Sequence, residues 1–228
     1  MQPTYIPWAG YFEMIDYVDR FVFLDNVQLE KPSWQVRNRI KTRNGELFLT
    51  IPVKSASRYQ QKIMDTEIIY DQVFPKKHFE NIRHSYASSK YFSKVFEIIE
   101  KNYSTRFRTL SEFNISIIQD ICDYLEIDTE FFVASELESS GVKTQLSFDQ
   151  CVELGGSSFY AANGSKSYLS KEDRFLHSNL LIEYQEYVCV EYEQLFSGFL
   201  ERLSIIDILF NHGKESIEII RRGRCLPS

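Results

Sequence analysis

GYFEMIDYVDRFVFLD (residues 10–25) decides the fold. Tyr11, Met14, Ile15 and Val18 recur at helical spacing, and FVFLD (21–25) directly after them reads as a buried strand. Moving outward, ELFLTIPVK (46–54) is a second strand, announced by the turn Arg43-Asn44-Gly45. Helical stretches follow at roughly 74–86, 89–102 and 106–125, the last with Leu110, Phe113, Ile117, Ile121 and Tyr124 along one stripe. EFFVAS (130–135), SSFYAA (157–162) and LLIEYQEY (180–187) read as further strands. Helices over 144–155 and 167–178 separate them, and a final helix lies near 203–210. Such alternation predicts an α/β fold with a mostly parallel, Rossmann-like central sheet and helices on both faces. Residues 1–228 form a single domain in this reading, with a helical insertion at about 74–128, and RRGRCLPS (221–228) is a disordered tail.

Composition narrows the class. The 228 residues are 25% charged and 43% apolar, with 9 Gly and 6 Pro, which excludes collagenous and low-complexity chains. The 14 Tyr call for rings with one wet end, as at a pocket or an interface. Lys and Arg number 26 against 32 Asp and Glu, a net charge of −6 that argues against broad nucleic-acid binding but permits a local anion pocket. Cys122, Cys151, Cys189 and Cys225 stand far apart with no CxxC pair, so free thiols are expected and a metal is not. His78 and His84 fall on different faces of one helix. No run approaches the roughly 18 apolar residues of a membrane span. MQPTYIPWAG lacks a signal-peptide pattern, so a soluble, cytoplasmic protein of unspecified oligomeric state is expected.

Four segments carry candidate chemistry. QPTYIPWAGY (2–11) offers Gln2, Tyr5, Trp8 and Tyr11 as an aromatic floor with a polar edge, and Gly10 leaves room for a ligand at the helix start. DNVQLEKPSWQVRNRIK (25–41) places Asp25 at a strand end, followed by Gln28, Lys31, Trp34, Asn38 and Arg39. With Lys54 these residues suit a phosphate and a stacked base or sugar. Asp25 is the leading acid/base candidate, and His84 the second. Lys143 and Thr144 at one helix start, with Asn163, Gly164 and Lys166 in a strand-to-helix turn, are phosphate-binding candidates, although the spacing of a Walker A loop is absent. In LSIIDILFNHG (203–213), Asp207 and Asn211 stand i, i+4 on an apolar helix as a structural polar pair. A plugged sheet end, a solvated charge run and ordinary capping remain the structural alternatives for these segments.

QPTYIPWAGYFEMIDYVDRFVFLDNVQLEKPSWQVRNRIK, IPVK, SELESSGVKTQLSFDQCVELGGSSFYAANGSKSYLS and LSIIDILFNHG occur in this order in the WbqC-like protein family, which the chain resembles from residue 2 to about 216. The resemblance implies a cytoplasmic enzyme of bacterial O-antigen or other surface-polysaccharide synthesis. It would transfer an acyl or aminoacyl group to the amine of a nucleotide-linked amino sugar. Acyl-CoA, an aminoacyl donor or ATP are the co-substrates left open. Matched to the family pattern are Gln2, Pro3, Tyr5, Pro7, Gly10, Tyr11, Asp25, Gln28, Lys31, Trp34, Asn38, Arg39, Lys54, Lys143, Thr144, Lys166, Asp207 and Asn211. The chain departs from it in having almost no strand before Gln2-Pro3, and in Gly164-Ser165 where two glycines are common. FVFLDNVQ behind its loop and helix also resembles the opening of the nucleotidylyltransferase and pantothenate-synthetase superfamily, but Trp8 and Tyr11 stand where that superfamily has histidines. The alternatives are therefore a sugar-nucleotide-binding protein without catalysis, an ATP-dependent amide-forming or nucleotidylyltransferase-like enzyme, or a scaffold.

Overall fold

α1 (Ala9–Tyr17) buries Tyr11, Phe12, Met14 and Ile15, and the chain then extends into β1 (Arg20–Phe23). In the computed structural model, which describes residues 1–30, 33–54, 60–71, 73–139, 141, 144–169, 175 and 177–225, this opening is as the sequence predicts. Lys31, Lys143, 170–174, 176 and 226–228 lie outside the described residues.

β1 pairs in parallel with β4 (Glu130–Val133), Phe23 opposite Val133. β2 (Arg37–Thr42) and β3 (Gly45–Thr50) form an antiparallel hairpin around the two-residue loop Arg43-Asn44, with Gly45 at φ +104°, where a side chain would be strained. β2 was hidden within a basic loop reading. Its alternation is real, because Asn38 and Ile40 are buried between the half-buried Arg37 and Arg39.

α2 (His78–Tyr86), α3 (Phe92–Ser104) and α4 (Leu110–Leu125) follow. A capping box starts α4: Thr109 accepts from the Glu112 amide, and Glu112 accepts from the Thr109 amide. Leu110, Phe113, Ile117 and Ile121 are fully buried, as their stripe predicts. α5 (Thr144–Glu153), β5 (Ser158–Ala161), α6 (Lys166–Leu169) and β6 (Leu181–Tyr184) surround a small second core of Ala161, Leu169 and Phe175. α7 (Ile205–His212) and α8 (Ser216–Arg222) return to the main core.

The class is mixed α/β, with two parallel pairs, β1–β4 and β5–β6. The single central sheet expected from the sequence is not formed among the described residues; the strands make three separate two-stranded ladders. Irregular backbone at the chain start takes the free edge of β1, and Ser204 and the Tyr86 hydroxyl take that of β2. Met1 pairs with Val22 and Leu24 beside β1, and the Tyr5 amide donates to the Trp34 carbonyl just before β2. The tail expectation is also corrected for residues 221–225. Arg221 and Arg224 both bond Asp16, and Arg224 reaches the fully buried Glu13 at 2.7 Å.

That irregular segment runs through the core without secondary structure, so side chains must satisfy its carbonyls. Asn114 donates to Pro3 at 3.1 Å, Asn38 to Tyr5 at 3.1 Å and to Ile6 at 2.8 Å, and Ser204 to Ile6 at 2.7 Å. Ile6 sits at φ +35°, a conformation that β-branched residues rarely adopt. Three hydrogen bonds at and beside it, with complete burial, hold it there. Asn38→Ala should therefore lower unfolding free energy by about 2 kcal/mol in urea titration, as the buried Tyr5 carbonyl loses its donor while Ile6 keeps Ser204. The exposed Gln28→Ala should change it by less than about 0.5 kcal/mol; equal effects would mean the segment does not depend on Asn38.

Candidate functional site

Parallel register brings the ends of β1 and β4 together. Two residues past Phe23 and Val133, the Asp25 carboxylate accepts from the Ser135 amide at 3.0 Å and from its hydroxyl at 2.7 Å. Asp25 is only 4% exposed, while Ser135 is open to solvent. The pair lines a cleft of about 430 Å³ at the carboxyl ends of these strands, where ligands bind in open α/β folds. α4 and the residue capping it supply one wall, with Thr109, Ser111, Glu112, Ser116 and Gln119. Met64, Phe107, Ile115 and Val133 supply apolar surface, and Glu136 lies beside Ser135. Among the described residues, Asp25, Glu112 and Glu136 line it without a Lys or Arg. Such a wall favours a cation or neutral hydroxyls over a phosphate.

Among the described residues, Asp25 is the one sequence-predicted site residue that lines this cleft. The expected aromatic floor is dispersed. Tyr5 is fully buried, its hydroxyl bonded to His78 Nδ1 at 3.0 Å and to the Tyr103 hydroxyl. Tyr11 is buried and donates to the Gln2 carbonyl, and the Gln2 side chain accepts from Gln35. Trp8 packs edge-on to Tyr187 beneath Arg202. Its indole fills the space over Gly10, where a Cβ would approach it to 2.4 Å, so the glycine makes room for Trp8 rather than for a ligand.

The basic residues do not converge. Arg39 bonds Glu46 at 2.6 Å and the Glu201 carbonyl at 3.0 Å, Lys54 pairs with Glu67, and Lys166 lies over the Tyr184 ring. Gln28 and Trp34 are exposed, Asn38 serves the buried segment, and His84 lies exposed on α2. Thr144 begins α5, and Asn163 and Gly164 form an exposed helical turn. Asp207 is fully buried and accepts from Tyr86 at 2.7 Å and Tyr192 at 2.8 Å. Burial raises its pKa despite these donors. The i, i+4 partner Asn211 donates to the Asp207 carbonyl, not its carboxylate. Ser135 and the polar face of α4 escaped the sequence reading, although the register of EFFVAS against FVFLD held the signal for Ser135.

An α/β protein with an acidic, hydroxyl-lined cleft at the ends of two parallel strands is the class these features define. The chain belongs to the WbqC-like protein family, whose profile matches residues 2–219. The uncharacterized protein Rv1507c of Mycobacterium tuberculosis is 31% identical over 227 residues, covering 98% of this chain and 97% of its own. No solved structure matches. Among the described residues no helix is long and apolar enough to cross a membrane, and no group of three or more His, Cys, Asp or Glu is placed to hold a metal ion.

The buried imidazole has a pH signature. Burial, chiefly, lowers the pKa of His78 from 6.5 to about 4. The unfolded chain then binds the extra proton first as pH falls, so stability is full above about 6.5 and declines toward pH 4. A loss on the order of 3 kcal/mol across that window is expected in urea titrations, and His78→Gln should flatten this part of the profile. An unchanged profile in the variant would show that His78 is not the group responsible.

Proposed function

We propose that the protein is a cytoplasmic enzyme of bacterial surface-polysaccharide synthesis, transferring an acyl or aminoacyl group to the amine of a nucleotide-linked amino sugar. Its family supports the setting, and the observation that carries the chemistry is the buried Asp25 carboxylate in a cleft rich in hydroxyls and, among the described residues, without Lys or Arg. An acidic wall attracts the sugar's ammonium, and the serine, threonine and glutamine side chains match ring hydroxyls. In this reading Asp25 takes one proton from the ammonium, and the freed amine attacks the donor's acyl carbon. A C–N bond forms, the tetrahedral intermediate collapses as the donor's C–S or C–O bond breaks, and the leaving thiolate, phosphate or alkoxide takes the bonding pair and the second nitrogen proton.

The bonds from Ser135 to both Asp25 oxygens favour a second reading, a sugar-nucleotide-binding protein in which Asp25 only ties the strand ends together. Asp25→Asn separates the two, because it keeps size and removes charge. Transfer should be assayed with nucleotide-linked amino sugars and acyl-CoA, aminoacyl donors, or ATP plus a carboxylic acid. A base predicts turnover falling about 10²-fold with melting temperature and sugar affinity little changed. Stability and affinity falling together, with no loss of turnover per bound sugar, would overturn the catalytic role.

A further inference from the structure

Trp34 and Phe48 are the two exposed aromatic rings among the described residues, at 51% and 43% exposure, and they lie together. Their centroids are 6.4 Å apart and their planes 25° from parallel, which makes one flat strip on the outer face of the β2–β3 hairpin. The Arg37 guanidinium stands 5.2 Å from the Phe48 centroid. Arg39 is the register partner of Phe48 but is held by Glu46 and the Glu201 carbonyl, so Arg37 is the guanidinium beside the rings. In a chain of net charge −6, an arginine beside exposed rings is a local feature with its own chemistry.

We propose that this hairpin face binds a nucleoside diphosphate, the base stacking on Trp34 and Phe48 and Arg37 donating to the phosphates. The ligand class rests on the nucleotide-linked sugar proposed above; the site is separate from the acidic cleft that takes the amino sugar. Aromatic faces accept any base, and a guanidinium supplies the directional donors that a phosphate needs. The two sites share α4: Asn114 donates to the carbonyl of Gln35, next to Trp34, and Ile115 lines the cleft. The hairpin face is aromatic with an arginine beside it, and the cleft is acidic and hydroxyl-rich.

Calorimetric titration of the full chain with uridine, cytidine and guanosine diphosphates, and with pyrophosphate, tests this. At least one nucleoside diphosphate should bind, and Trp34→Ala should weaken it about tenfold or more while leaving pyrophosphate binding unchanged. Arg37→Gln should weaken both classes, with melting temperature unaffected in either variant. Absence of binding by all three nucleotides, or full affinity in Trp34→Ala, would overturn the proposal. So would a Trp34→Ala variant that only converts an oligomer to a monomer, since the face would then join copies of the chain. Titration with a free amino sugar keeps the two readings apart. Amino-sugar binding by the unaltered protein, with nucleotide bound normally by Trp34→Ala, sinks the hairpin site alone. Nucleotide binding lost in Trp34→Ala with no amino-sugar binding sinks the cleft alone.

Discussion

The carbonyls of residues 3–7 must be satisfied deep inside the protein, and most of the architecture follows from how they are. Pro3 and Pro7 bring no N–H, which halves the demand at those positions. The carbonyls of Pro3, Tyr5, Ile6 and Pro7 are met by Asn114 from α4, Asn38 from β2, and Ser204 and the Ile205 amide at the start of α7. Asn114 also donates to the Gln35 carbonyl, and the Ser204 hydroxyl caps α7 while donating to Ile6. A helix, a hairpin and a second helix are thus registered against one irregular strand of backbone. Loss of Asn114 or Asn38 leaves a buried carbonyl without its donor, so the elements are coupled rather than merely adjacent.

α1 plays the matching part toward the rest of the chain. Glu13 is fully buried, yet it receives Arg224, Gln185 and Tyr160, and Tyr17 donates to Glu183 on β6. Those bonds fasten the smaller β5–β6 core and the C-terminal segment to the main core. A buried carboxylate is tolerated because it is paired and multiply hydrogen-bonded, and removing Arg224 would leave an uncompensated charge. With the framework fixed on both sides, the ends of β1 and β4 present Asp25 and Ser135 in fixed register at the cleft.

Legibility in the sequence tracked how far each signal was local. The helix of 9–17, the strand after it, the stripe on α4 and the Asn44-Gly45 turn all read correctly, because period and turn chemistry reside in neighbouring residues. Joining the strands into one sheet failed, since the free edge of β1 is taken by Met1 and that of β2 by Ser204 and the Tyr86 hydroxyl, none of which carries a strand pattern. Tyr5, Tyr11 and Asn38 looked like ligand groups for the reason that they are polar or half-polar in a loop. Their partners lie 9 to 98 positions away, beyond the reach of any local pattern. Asp25 was identified from its place at a strand end. Ser135 and the α4 wall were not, because they meet Asp25 only after parallel pairing and helix packing.

The central claim is a division of labour: residues 2–11 are internal framework, and the sugar is held at the ends of β1 and β4. A crystal structure of the protein soaked with a nucleotide-linked amino sugar tests it most directly. The account predicts the sugar ring in the cleft, its amine within hydrogen-bond distance of an Asp25 oxygen and its hydroxyls against α4. A sugar seated instead against Trp8 and Tyr11, with the Asp25 cleft holding only water, would contradict it.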